Sequence, residues 1–208
     1  MPRIAARLPL AALLRRAPRF PCEAGGVAAV EFALILPLLI ALYLGAVETT
    51  RAIDNSRKFS LFARAVADLS GRAPMTTMDP IFSASAAILQ PFDAGQVSIV
   101  VNAMGVEDEN GTLSGFVCSS AANANATPRT QNAPAGQDGI PAVPPIYRFD
   151  GARYILAEVS MPYAPVIGSR IYAAIFGSTS LVFRQQIAWA ERADGEIILP
   201  GGAACRNP

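Results

Sequence analysis

The sequence predicts an α+β protein. A long N-terminal helix, membrane-spanning in its first half and amphipathic in its second, packs on a small, mainly antiparallel sheet. Three observations carry this reading. Val27 to Val47 is an apolar run with one ionisable residue, Glu31. Beyond it, Phe59, Phe62, Val66 and Leu69 recur at steps of three and four, with Arg57, Lys58, Arg64 and Asp68 off that stripe, which is the pattern of an amphipathic helix. Further on, β-branched segments flank an Asn-Gly pair at 110–111, the sequence signal of a tight hairpin.

The elements follow in order. Residues 1–24 hold Arg3, Arg7, Arg15, Arg16 and Arg19 against one acid, Glu23. The apolar piece at 8–14 falls short of the ~20 residues a span needs, and the basic segment belongs on the cytoplasmic side. In the span, Pro37 bends the helix without abolishing it, and Tyr43 suits an interfacial position. Neither Gly nor Pro breaks the chain between Gly45 and Gly71. One helix is therefore expected, with 27–47 its transmembrane part and 48–70 its amphipathic continuation.

Residues 71–208 read as one α+β domain. Gly71 to Asp79 breaks the helix, and Asp79-Pro80 has the N-cap and N1 character that opens another. Strands are expected at 96–106 and 112–119 around the turn at 109–111. Residues 120–145, rich in Ala, Asn, Pro and Gly, are expected to be a mobile surface loop. Strands at 152–163 and 179–192 bracket a short helix or docking segment at 165–177. The tail turns at Asp194-Gly195 and ends around Cys205.

Composition narrows the function. The net charge of +1 provides no clustered basic footprint, so no nucleic-acid partner is expected. The chain has no histidine, which removes imidazole bases, Ser-His-Asp and Cys-His arrangements and the HExxH zinc site. Neither SxxK nor GxSxG occurs, and no Walker A or GxGxxG supplies a nucleotide cradle. "GVEDENGT" (105–112) lacks the ligand spacing of a calcium loop and reads as a solvated turn. Cys22, Cys118 and Cys205 contain no CxxC pair. No enzyme, cofactor or metal is expected.

Glu31 is the residue in need of an explanation. A carboxylate at the centre of a span costs about 2.5–3.5 kcal/mol on insertion scales, and less near its end. It could snorkel, or the span could start at Phe32, though 32–47 is short for a bilayer. Alternatively, cleavage after Gly26 makes Val27 a free cationic amine, which a neighbouring chain's Glu31 can neutralise when anchors associate.

A basic leader, then Gly26, Val27-Ala28-Ala29-Val30, Glu31, Phe32 and an apolar helix resembles the class III signal of type IV prepilins. "GGVAAVEFALILPLL" is most similar to the TadE-like minor pseudopilins of tight adherence (Flp) pili. "EVSMPYAPVI" and "SLVFRQQIAWAER" are similar to the strand, helix and strand that follow the anchor in that family. The resemblance implies a non-catalytic accessory subunit acting in initiation, priming or at the tip of pilus assembly. By the same resemblance a prepilin peptidase is expected to remove residues 1–26, with Gly26 and Val27 as the processing site, and Glu31 and Phe32 are expected to serve subunit recruitment. The mature chain is expected in the inner membrane with its C-terminal domain in the periplasm. The partners this implies are that peptidase, other pilin and pseudopilin subunits and the inner-membrane assembly platform. Cys22 then leaves with the leader, and Cys118 and Cys205 are expected to pair, since disulfides persist in the periplasm. Two competing readings are a periplasmic binding or enzymatic domain on an uncleaved signal anchor, and an ordinary secretory signal cleaved near Ala46.

Overall fold

The computed structural model describes residues 25–72, 76–166, 169–177, 180–193 and 195–206. The basic segment at 1–24, with Cys22, and the turn residue Asp194 lie outside the described residues. The chain divides into two compact units between Tyr43 and Leu44. Helix α1, Gly25–Ser70, contributes to both and contains Pro37.

In the first unit, α1 is a single helix whose apolar side chains are exposed, among them Val27, Val30, Leu34 and Leu38. No 18-residue stretch elsewhere in the described helices matches its apolar character, and that window is wholly unburied. By length and composition it is a helix able to cross a membrane.

In the second unit, α1 buries Asn55, Phe59, Phe62, Ala63, Val66, Ala67 and Ser70. Their spacing of three and four places them on one side of the helix. Leu69, expected on that stripe, is only partly buried at its margin. Gly71 ends the helix where the chain meets the sheet: its carbonyl accepts from Arg192 N at 2.7 Å, and a Cβ on it would lie 3.2 Å from Ala190 O. Helix α2 (Asp79–Ala86) follows. The sequence places Asp79 at the N-cap, but in the structure Met78 holds that position, without a side-chain cap, and Pro80 lies in the first turn. Asp79 is thus already helical, where its charge favours the N-terminal dipole.

Four antiparallel strands form the sheet: β1 (Ser98–Glu109), β2 (Thr112–Ala122), β3 (Arg153–Tyr163) and β4 (Leu181–Ala190), in the order β2-β1-β3-β4. Asn110 and Gly111 both take positive φ (57° and 84°) between the paired Glu109 and Thr112. This is the backbone a two-residue hairpin of right-handed twist requires. Alternation then sorts the side chains. Ile99, Val101, Ala103, Ile155, Ala157, Val159 and Met161 join the α1 stripe, α2 and tail residues Ile197 and Leu199 in the main core. Met104, Val106, Tyr154 and Leu156 occupy a second core on the opposite face. Tyr154 stacks on Tyr147, 4.6 Å between centroids, and burial pushes its hydroxyl pKa up to about 12.

The register slips between Ala103 and Met104: Ala103 pairs Ser119 but Met104 pairs Val117, so Cys118 is the extra residue of a bulge. Cys118 is disulfide-bonded to Cys205, with Cα atoms 4.5 Å apart. Gly105 makes room for the bridge, since a Cβ there would meet Cys118 Sγ at 2.9 Å and the Phe116 ring at 3.0 Å. Arg206 completes the attachment of the tail, with its guanidinium 4.2 Å from the Phe116 ring centre and bonded to Glu107 and Glu109. Glu196 accepts from Cys205 N.

The segment expected to be a mobile loop is built into the fold. Asn132 and Ala133 exchange backbone bonds with Val117, and Ala135 N donates to Gly115 O, so 132–135 covers the outer edge of β2. Arg129 reaches across that face to Glu158 with two bonds, 3.0 and 2.7 Å. The Asn123 side chain replaces strand partners for Ile99 N and Val97 O. Ile140 and Val143 are buried in the second core. α3 (Ser169–Phe176) connects β3 to β4 and is shorter than the 165–177 expected.

Two predictions follow from this packing. In the chain-entropy model, closing the 87-residue separation contributes up to about 4–5 kcal/mol. Cys205→Ser should lower the denaturant midpoint by an amount equivalent to about 2–5 kcal/mol. Wild-type protein unfolded without reductant should offer no thiol at either position, and two labelled thiols would contradict the bond. Glu191, just after β4, has a carboxyl pushed by burial, and secondarily by Glu196, from 4.5 to about 7 against the opposing pull of Arg153 and the Ile197 amide. A raised acid holds its proton more tightly in the fold than in the unfolded chain. Its stabilising contribution is therefore full below the unfolded value and is lost as pH rises from 4.5 to about 7. Glu191→Gln should flatten the fall in stability across that window, measured by denaturant melts of the detergent-solubilised chain.

Candidate functional site: the start of the anchor helix and its exit

Gly26, Val27, Glu31 and Phe32 all lie in the first turns of α1. Val27 and Glu31, four residues apart, share a side of the helix, separated by about 6 Å along its axis. Both are exposed, as is Phe32. Among the described residues Glu31 makes no hydrogen bond or ion pair, so nothing described in the chain balances its charge. A Cβ on Gly26 would meet nothing within 4 Å. Glycine in a helix costs roughly 0.5–1 kcal/mol relative to alanine, and no close neighbour in this fold calls for it.

At the far end of the apolar run, Glu48 accepts hydrogen bonds from Tyr163 Oη at 2.6 Å and from Val166 N at 3.2 Å. Burial first, then the bond to Glu48 and its charge, push the Tyr163 hydroxyl up to about 12, with Arg51 opposing. The Tyr163 ring also leans on Phe183, 5.4 Å between centroids. This clamp joins α1 to the end of β3 across 115 residues. The sequence reading missed it. The available signal was that Glu48 is the first charged residue after the span.

Two other places could carry chemistry. A groove of about 570 Å³ on the sheet is lined by Arg129, Glu158, Arg184 and Gln186. Glu158 already accepts from Arg129, Asn102 and Gln186 and so holds the fold together. Its hydrogen bonds from Arg129, with that carboxylate's charge, raise the guanidinium pKa, and both side chains are engaged in this pair. The donor atoms of Cys118, Cys205 and Glu196 come within 4.8 Å of one another. The two sulfurs are spent in the disulfide, and Glu196 holds Cys205 N. Neither arrangement offers a nucleophile with its base or a vacant set of metal ligands.

Fold and site thus define a class: an α+β domain carried on a single apolar helix suited to a membrane, with its distinctive residues at the start of that helix. Residues 26–68 match the family model of TadE-like proteins. The matched segment begins at Gly26, includes Glu31 and the span, and runs through the buried stripe to Asp68. Over these residues the chain is similar to TadE-like proteins. No curated protein and no solved structure matches the chain.

If the Glu48 clamp sets how β3 ends against α1, Tyr163→Phe removes one bond and keeps the ring. A hydrogen bond to a charged group is worth about 1.5–3 kcal/mol. The variant should be destabilised by up to that amount. Amide exchange at 164–166 should accelerate while the β1–β2 hairpin stays protected, as hydrogen-exchange mass spectrometry would resolve.

Proposed function

We propose that the chain is a minor pseudopilin that takes part in the initiation, priming or tip of a tight adherence pilus. It is made as a precursor, cut after Gly26 by a prepilin peptidase, and held in the inner membrane with its sheet domain in the periplasm. One observation carries this reading. The TadE-like match opens on a glycine on which a Cβ would meet nothing within 4 Å among the described residues, and it includes, five residues on, a carboxylate with no partner among them. Both oddities have a use if the bond after Gly26 is cut. A small residue lets a peptidase approach the backbone closely, and the freed Val27 amine becomes the cation that a neighbouring subunit's Glu31 balances. In the low dielectric of a membrane such a pairing is far stronger than in water, and it acts only between chains that are both anchored and correctly staggered.

The partners that fit are the peptidase, other pilin and pseudopilin subunits, and the assembly platform in the same membrane. A structural role suits the sheet domain, in which Arg129 and Glu158 tie the 120–145 segment to the sheet and Arg206, Glu107 and Glu109 tie the tail.

Mass spectrometry of membrane-extracted protein should read Val27 as the mature N-terminus. A start at Met1 would favour an uncleaved anchor, and one near Val47 a secretory signal. Gly26→Leu should accumulate full-length precursor, and a Gly26→Leu chain still beginning at Val27 would refute the processing site. Glu31→Gln retains size and polarity but not charge. It should insert and be cut normally while crosslinking to neighbouring subunits and pilus formation fall sharply. Normal assembly by this variant would leave Glu31 without a recruiting role.

A further inference from the structure

The sheet ends in β2 on one side and β4 on the other, and the fold treats the two edges differently. The backbone of 132–135 lies along β2 and takes up its outward groups. Nothing comparable is present at β4. Its ten residues pair with Tyr154 to Tyr163 of β3 without a slip. Among the described residues the backbone of 181–190 bonds to no other segment. In an antiparallel strand every second residue turns its N–H and C=O away from its neighbour, so the outer side of β4 offers a row of unused backbone groups.

Proteins commonly blunt such an edge with proline, lysine, a bulge or a covering segment. β4 has no proline, no bulge and one charged residue, Arg184. Its side chains are incompletely covered as well. Phe183, Ile187 and Trp189 stand opposite Met161, Ala157 and Ile155, on the α1 side, and are only partly buried at the margin of the main core. On the other side Val182, Arg184 and Gln186 are exposed, and no residue of the strand is fully buried.

Arg184 narrows what could lie there. It makes no hydrogen bond or ion pair among the described residues. It stands opposite Ser160 at the groove of about 570 Å³, whose lining includes Arg129, Asp138, Glu158 and Gln186. Both acids of that groove serve Arg129: Glu158 is bonded to it, and Asp138 attracts it. A cation beside an open edge, without an acid of its own, calls for a carboxylate from outside. A second copy of the chain does not supply one at this edge. Its β4 holds no acid, and its β2 edge is already taken by 132–135.

We propose that the free edge of β4 receives an extended segment of a different protein chain as a fifth strand, apolar and polar in alternation, with a carboxylate on the outer face beside Arg184. Main-chain bonds along β4 provide the adhesion, and the charge pair at Arg184 selects the segment. It also fixes the register, because a slip of one residue turns the carboxylate to the α1 side. All the residues involved lie in the 44–208 unit, so the surface is the same whether or not the bond after Gly26 is cut.

The test uses the full, detergent-solubilised chain and synthetic peptides of alternating valine and threonine, identical except that one central threonine is replaced by glutamate, glutamine or lysine. Fluorescence anisotropy should rank their affinities in that order, with about two- to fivefold between neighbours, a contrast that shrinks as salt is added. Arg184→Glu alters an exposed side chain without a partner, so it should keep the thermal midpoint and reverse the ranking. Hydrogen-exchange mass spectrometry should find the amides of 181–190 protected by the glutamate peptide and those of 109–113 unchanged. N-methylation of alternate residues along one edge of that peptide should abolish binding, while methylation along its other edge should leave it. Binding without protection of β4, indifference to Arg184→Glu, or equal effects of the two methylations would overturn the proposal. So would failure of every peptide to bind, or self-association of the chain that protects 181–190, which would assign the edge to a second copy.

Discussion

Burial of one stripe of α1 against one face of four strands is the interaction that the other contacts presuppose. Phe59, Phe62, Val66 and Ala67 provide the helix side, and Ile99, Val101, Ile155, Ala157 and Val159 the sheet side. Only with this layer formed is there a level surface over which the tail can lay Ile197 and Leu199, and an opposite face on which Ile140 and Val143 can settle. At the end of α1, Asp68 gathers Arg72, Trp189 and Arg192, a cluster dominated by the Arg72 bond that holds its carboxyl below the usual range. These bonds hold the helix end against β4, but they are partly exposed and fix position more than they contribute stability.

Polar side chains take over where apolar ones are scarce. Asn123 and Asn125 serve backbone groups of β1 and the turn before it, and Arg129 spans from Ser120 to Glu158. Asn55 is the exception: it is buried in the α1 stripe with no hydrogen-bond partner among the described residues. A buried, unpartnered amide costs about 1–3 kcal/mol, which the surrounding aromatic packing has to offset.

The legible parts of the sequence were those encoded by neighbours. The α1 stripe, the Asn-Gly hairpin and the β-branched strands are local patterns. What escaped reading depends on distant partners. The 120–145 composition looks featureless because its function rests on single anchors, Arg129, Ile140 and Val143, each without periodicity. The bulge at Cys118 cannot be read from either strand alone, since it exists only in their register. The Glu48–Tyr163 clamp pairs residues whose separate contexts, a helix after a span and the end of a strand, give no hint of each other.

The bulge has a further consequence for the registers this molecule can hold. Cys118 is aimed at its partner only when β1 and β2 meet in the observed register. Cys205 lies beyond β3 and β4 in sequence, so in the folded domain the bridge closes a loop that contains both strands. A mispaired hairpin slipped by one residue turns the thiol to the other face of the sheet, beyond the reach of the tail. The bridge and the observed register are thus compatible with each other, and a chain slipped by one residue could not hold both.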